Sequence, residues 1–145
     1  MDALALTTPR TATGEIAVWR LYLLRAGYLL IAAGMGSIIW PKILHHTGAW
    51  DFYDGAVSAM LGALTALCAY ALRYPLRMLP IMFFEIGWKS IWLIVVALPA
   101  WQSGKMDAAT AGNVSACAFI IVLIPIVPWD YVWQNFVTAK SERWW

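Results

Sequence analysis

Charged residues are scarce in this chain. Only 12% of its 145 residues are charged and the net charge is +2, whereas about 25% charged residues is usual in a soluble domain. Intrinsic disorder is excluded, because a disordered chain combines low hydrophobicity with high net charge. A basic surface of the kind that binds nucleic acid is not expected either. We therefore predict no nucleic-acid partner.

Residues that commonly build catalytic and metal sites are also few. The chain has two cysteines and two histidines. Cys68 and Cys117 both lie in apolar segments, which predicts buried thiols rather than a disulfide. No Cys or His pair has the spacing of a zinc site, and no Ser-His-Asp set or glycine-rich phosphate loop is evident. We predict that the protein is not an enzyme and holds no metal.

Apolar residues, by contrast, make up 62% of the chain. A helix that crosses a bilayer needs about 20 mainly apolar residues. Four segments meet this requirement, at residues 18–40, 55–72, 76–101 and 108–127. They predict an all-α membrane protein in which residues 1–145 form one domain, a four-helix up-down bundle. The segment 129–145 is predicted to be an amphipathic stretch at the membrane interface.

Lysines and arginines are distributed unevenly between the two predicted ends of this bundle. Lys42 and Lys105 lie at one end, and Lys89 lies inside the third span. The other seven are Arg10, Arg20, Arg25, Arg73, Arg77, Lys140 and Arg143. Positive residues accumulate on the cytoplasmic side, so we predict that both termini are cytoplasmic. The predicted location is a bacterial inner membrane, with multiple spans.

Small side chains recur at helical spacing in three of the spans. In lipid, helices associate by close packing at such residues. The residues concerned are Ala26, Ala33 and Ser37 in the first span, with Gly34 and Gly36 beside them, Gly55, Ala59, Gly62 or Ala63, Ala66 and Ala69 in the second, and Ala108, Ala111, Gly112, Ser115 and Ala116 in the fourth. We expect these faces to form the contacts between helices.

Three ionisable residues, Arg25, Glu85 and Lys89, fall well inside predicted spans. Such residues are costly in a membrane and usually pair or line a cavity. Arg25 and Glu85 enter from the same side to similar depth, which predicts a bridge between the first and third helices. Lys89 follows Glu85 by four residues, a favourable helical pairing. The cluster is either a structural ion pair or a site for a proton, an anion, a lipid headgroup or a quinone.

Two adjacent histidines, His45 and His46, end the first predicted span, with Asp51 and Asp54 nearby. One interpretation is a ligand to a metal or to the iron or magnesium of a porphyrin. The other is an interfacial loop whose polar and aromatic side chains favour the headgroup region. The sequence leaves both open.

Tryptophan is abundant, with ten residues, and most lie at span ends, as in the aromatic belt of bilayer proteins. Trp88 and Trp92 differ, since they lie in mid-span one helical turn apart, with Phe84 a turn earlier. This aromatic face is predicted to contact lipid, another helix, or a quinone or pigment.

The chain resembles the DoxX-like family of small four-helix membrane proteins. The similarity lies in Leu23-Leu24-Arg25 at the start of the first span, Trp40-Pro41-Lys42 at its end, and the three spans that follow. The acidic residue of that family is in the second helix, whereas Glu85 is in the third. Some members are described as subunits associated with quinol-oxidising respiratory enzymes, which is what the resemblance implies here.

We therefore predict a non-catalytic accessory or scaffold subunit of a membrane-embedded electron-transfer complex, respiratory or photosynthetic. Its expected partners are lipids and other integral membrane subunits, with a homo-oligomer as a further possibility. Candidate cofactors are a quinone, a carotenoid, or a chlorophyll or haem. The alternative function is a small oligomeric transporter or channel that uses Arg25, Glu85 and Lys89.

Overall fold

Four long helices dominate the computed structural model, which describes residues 16–46 and 49–140. They are α1 (Val18–Leu44), α2 (Phe52–Ala71), α3 (Leu79–Gln102) and α4 (Ala108–Ile126). Each is long and apolar enough to cross a membrane, with a mean hydropathy between 1.4 and 2.0. No strand occurs among the described residues. The prediction of an all-α protein with four membrane-span-like helices is therefore confirmed.

The connection between α1 and α2 is shorter than predicted. Helix α1 continues through Pro41 to Leu44, although the Pro41 ring has no N–H to donate to the Ser37 carbonyl. Helix α2 begins at Phe52 rather than at residue 55, since the Asp51 side chain accepts a hydrogen bond from the Tyr53 N–H at 3.2 Å. A short aspartate at this position commonly starts a helix.

Helix α3 changes its winding in its second half. Residues Leu93–Ala97 form a π-helical turn, in which the Leu98 N–H donates to the Leu93 carbonyl. Pro99 follows at once, and its ring has no N–H to donate to the Val95 carbonyl and crowds it. The wider turn accommodates this proline without ending the helix.

Helices α1 and α2 form one antiparallel pair and α3 and α4 form another. The two pairs pack tightly at the end of the bundle where residues 72–78 join α2 to α3. The fully buried side chains at this end include Leu24, Tyr28, Leu79, Met82 and Leu123. The Tyr28 hydroxyl donates to the Pro75 carbonyl at 3.1 Å, so this connection is held against α1.

Of the small residues predicted to form the contact face of α2, Gly62 lies against α1 and the alanines do not. Ser58, Gly62, Thr65 and Cys68 are buried, whereas Ala59, Ala63, Ala66 and Ala69 are exposed. The Trp40 indole N–H donates to Thr65 Oγ1 at 3.0 Å, and this hydroxyl donates to the Gly62 carbonyl at 2.8 Å. A hydroxyl in an apolar span gains more from such a partner than an alanine does from contact.

Most of the small residues predicted to form contact faces on α1 and α4 are also exposed. Ala26, Ala33 and Ser37 of α1 are exposed, as are Ala108, Ala111, Gly112, Ser115 and Ala116 of α4. Gly36, predicted beside the α1 face, is buried next to Thr65 of α2. The prediction that these small residues form the helix contacts is therefore confirmed for Gly36 and wrong for the exposed residues. The buried positions of α4 are the larger Cys117, Ile120 and Leu123.

After α4 the chain folds back onto α3 as a short helix, Trp129–Val132, followed by a π-turn, Trp133–Val137. The ring of Phe83 stacks on that of Trp129, with 6.3 Å between centroids, and meets Phe136 edge-on at 5.7 Å. The predicted interfacial segment thus docks on the bundle through Trp129, Val132 and Phe136. Arg10, Arg143, Trp144 and Trp145 lie outside the described residues.

Two aspartates outside the spans have a pKa below the ordinary range. Asp107 begins α4, and hydrogen bonds from the Thr110 side chain and N–H lower its pKa; the N–H lies 2.7 Å from the carboxylate. Backbone N–H groups, first its own, and then Arg20 lower the pKa of Asp130. Arg20 Nη1 lies 2.6 Å from Asp130 Oδ1, which ties the start of α1 to the segment after α4.

Candidate functional site

Three side chains of α3 form one buried polar cluster. Lys89 Nζ lies 2.6 Å from Glu85 Oε1, and the Trp88 indole N–H donates to Glu85 Oε2 at 2.6 Å. The pairing predicted for Glu85 and Lys89 from their four-residue spacing is present. The structure also connects Trp88, predicted separately as part of an aromatic face, to this pair. We call Glu85, Trp88 and Lys89 the α3 polar cluster.

The α3 polar cluster lies deep in the bundle. Glu85 follows Leu79 by about 9 Å along the helix and Lys89 by about 15 Å, so Lys89 is near the middle of this 24-residue helix. The Glu85 residue is 0% exposed and Lys89 5% exposed. A buried carboxyl group and amine are tolerated because they neutralise one another.

The hydrogen bonds of the cluster are not all used. Lys89 Nζ lies 2.6 Å from Glu85 Oε1, close enough for one charge-assisted hydrogen bond. Among the described residues, Lys89 Nζ has no other polar partner. A lysine ammonium can donate three hydrogen bonds. The cluster therefore has donor capacity available to a bound group.

A cavity of about 500 Å³ opens beside the α3 polar cluster. All four helices contribute to its wall, and Lys89 and Asn113 are its strongly polar residues. Its apolar wall consists of Met35, Val57, Met60, Leu61, Phe84, Trp88, Trp92, Ala116 and Cys117. The two helix pairs separate in the half of the bundle away from residues 72–78, and the cavity occupies this gap.

A smaller cleft of about 270 Å³ lies on the other side of the cluster, between α1, α3 and α4. Glu85 and Lys89 both line it, together with apolar residues that include Leu30, Ile38 and Phe119. Met35, Lys89 and Ala116 line both spaces. The amine of Lys89 is thus placed at the boundary between two mainly apolar spaces.

Arg25 does not belong to the cluster. Its Nε donates to the Leu72 carbonyl at 3.0 Å, and its guanidinium lies 5.7 Å from the Tyr22 ring centroid. It forms no ion pair within the described residues, so the predicted Arg25–Glu85 bridge is wrong. A cation at the carboxyl end of a helix is favourable because unbonded carbonyls gather there, and α2 ends next to Arg25.

The two histidines lie apart from both spaces. His45 ends α1, where its N–H donates to the Pro41 carbonyl, and His46 contacts the Trp50 ring edge-on at 4.6 Å between centroids. Both are exposed. In the described part of the chain they belong to no cluster of three potential metal ligands. The structure therefore does not join His45 and His46 to Trp88 and Trp92 in one cofactor site.

Several cavity residues could not be recognised in the sequence. Met35, Met60, Asn113 and Ala116 carry no motif and lie on three different helices. Their proximity depends on how each helix is rotated about its axis and on where the pairs separate. Asn113 is the exception, because a polar amide within an apolar span can be recognised in the sequence.

Comparison with protein-family models, with curated proteins and with solved structures gave no match to this chain. The resemblance to DoxX-like proteins stays a prediction.

Proposed function

We propose that this protein binds a hydrophobic small molecule within the membrane, in the cavity beside the α3 polar cluster. The observation that carries the proposal is the buried Lys89 amine in the wall of a mainly apolar space of about 500 Å³. Small-molecule sites typically have volumes of about 300–1,000 Å³, apolar and aromatic walls, and a few polar groups that orient the ligand.

The cost of burying the cluster supports a functional interpretation. Inserting a Lys or Asp at the centre of a span costs about 2.5–3.5 kcal/mol on insertion scales, and a pair of hydrophobic side chains would fill the same place without that cost. Lys89 lies at the boundary of two spaces, where its amine can contact a bound molecule. Helix packing alone would not require a charged side chain at this position. We propose binding without catalysis.

The setting we propose is a bacterial inner membrane, with both termini on the cytoplasmic side. The distribution of Lys and Arg supports this orientation. Reporter fusions test this orientation. Alkaline phosphatase or green fluorescent protein is fused after residue 105 or at the carboxyl terminus. Phosphatase activity at residue 105 and fluorescence at the terminus are expected, and the reverse pattern would overturn the orientation.

A cavity-filling substitution tests the proposed binding. The full-length protein is purified in mild detergent, and the small molecules that remain bound are extracted and identified by mass spectrometry. Ala116→Phe places a ring between the two spaces and is expected to remove the bound compound. Ala111→Phe, on the same helix at a position that lines neither space, is the matched control and is expected to retain it.

The result that opposes the proposal is equally specific. If wild type and both variants carry the same detergent and bulk lipid and nothing enriched over them, the cavity holds no dedicated ligand. Membership of an electron-transfer complex stays a prediction. The alternative of an oligomeric transporter also stays a prediction, and its buried charges would be Glu85 and Lys89, without Arg25.

A further inference from the structure

We propose that the ligand is an uncharged molecule with a carbonyl group on a flat, conjugated ring, and that Lys89 donates a hydrogen bond to this carbonyl. This inference rests on the proposed function, which it makes more specific. It follows from three properties of the site: its net charge, its available donors and the shape of its wall.

The first property is charge. Glu85 and Lys89 together carry no net charge, and they lie 2.6 Å apart. A carboxylate or phosphate ligand would compete with Glu85 for the same amine and leave an excess negative charge in an apolar medium, which is costly. A neutral acceptor adds a hydrogen bond and leaves the ion pair in place.

The second property is the hydrogen-bond inventory. The Lys89 amine has N–H groups that no described residue uses, whereas the Trp88 N–H is already donated to Glu85 Oε2. The group in excess at this site is thus a donor, and its complement is an acceptor such as a carbonyl oxygen. Trp88 acts as a positioning residue, because it holds the carboxyl group that in turn orients Lys89.

The third property is the wall. Phe84, Trp88 and Trp92 follow one another at four-residue spacing on α3 and all line the cavity. Aromatic side chains favour flat, conjugated partners by stacking or edge contact. Met35 and Met60 line the cavity from α1 and α2, and flexible methionine side chains adapt to a ring of varied outline.

Two probes with the same carbon skeleton separate these effects. They are naphthoquinone methylated at both free quinone carbons and the corresponding dimethylnaphthalene, which has no carbonyl. The methyl groups prevent addition to the Cys117 thiol in the cavity wall. Binding is measured by equilibrium dialysis of the full-length protein in nanodiscs, with empty nanodiscs correcting for partition into lipid. Palmitate serves as the anionic probe.

We expect the quinone to bind about ten- to a hundredfold more tightly than the hydrocarbon, as one hydrogen bond to a charged donor provides. In the double variant Glu85→Leu/Lys89→Met the preference should fall to about onefold while the hydrocarbon still binds. Trp88→Phe removes the N–H that is donated to Glu85 and should reduce the ratio of quinone affinity to hydrocarbon affinity, a ratio in which the change of the cavity wall, common to both probes, cancels.

The outcomes distinguish the two proposals. Equal binding of quinone and hydrocarbon to the wild type, or tighter binding of palmitate, overturns the carbonyl inference and leaves the proposed function in place. Binding of none of the three probes above the empty-nanodisc level overturns both. A preference that survives the double variant also contradicts the role of Lys89.

Discussion

Replacing Glu85 by leucine is expected to destabilise the bundle strongly, because it leaves the Lys89 amine without its partner. The Lys89 side chain is 6% exposed and cannot reach water without unpacking. Breaking a buried ion pair from one side costs about 3–5 kcal/mol. That is roughly two to three and a half orders of magnitude in the folding equilibrium constant.

The decisive comparison is with the double variant. Glu85→Leu/Lys89→Met removes both charges and keeps similar side-chain volume, and such replacements are often neutral or stabilising. The double variant also leaves the Trp88 N–H without its acceptor, which costs about 1–3 kcal/mol. We therefore expect the double variant to lie within about 3 kcal/mol of the wild type and above Glu85→Leu, which loses the same acceptor and also leaves a charge unpaired. Lys42→Met, which breaks the exposed Lys42–Asp54 pair (2.8 Å), is the control and should cost at most about 1 kcal/mol.

The assay is reversible unfolding in mixed micelles with increasing sodium dodecyl sulfate, followed by far-ultraviolet circular dichroism. A double variant as unstable as the worse single variant would refute the reasoning, since the two charges would then contribute independently. A single Glu85→Leu variant as stable as the wild type would do the same, because the amine would not need its partner.

Three further predictions concern residues outside the cluster. Gly62→Leu should destabilise the bundle by about 1–3 kcal/mol, because a whole leucine side chain would have to fit against α1, where a Cβ would already lie 2.8 Å from Ile43 Cδ1 and 3.7 Å from Ile39 Cγ2. Ala63→Leu, on the exposed face, is the control in the same unfolding assay. Arg25→Met should lower the free energy of unfolding by about 1 kcal/mol, because the hydrogen bond to the end of α2 is lost. The same variant should leave quinone binding unchanged. A tenfold loss of binding would contradict the separation of Arg25 from Glu85. Because the pKa of Asp107 is lowered, its carboxylate stabilises the start of α4 at neutral pH, and this stabilisation is lost as the pH falls below about 4. Hydrogen exchange at the Thr110 amide should then rise in the wild type relative to the Asp107→Asn variant. Identical pH profiles of the two proteins would exclude this effect.

Features within one helix could be predicted because they depend on local spacing. The four spans follow from the length of apolar runs, and their predicted limits differ from the observed ones by three or four residues at most. The Glu85–Lys89 contact follows from a four-residue separation on a single helix, for which no other part of the fold has to be known.

Features between helices could not be predicted in this way. The partner of Arg25 is a carbonyl at the end of α2 rather than Glu85, and equal depth in the membrane gave no information on how the two helices are rotated. The alanine face of α2 has the right spacing but is exposed, since the buried Thr65 hydroxyl, which bonds to Trp40 and Gly62, favours the neighbouring face.

The scarcity of charge by itself determined that this is a protein of apolar, membrane-span-like helices, because too few polar residues are available to cover a soluble surface. Tertiary structure alone decided where the exceptional charges act. The separation of the two helix pairs creates the cavity, and it converts the α3 polar cluster from a local ion pair into one wall of a candidate binding site.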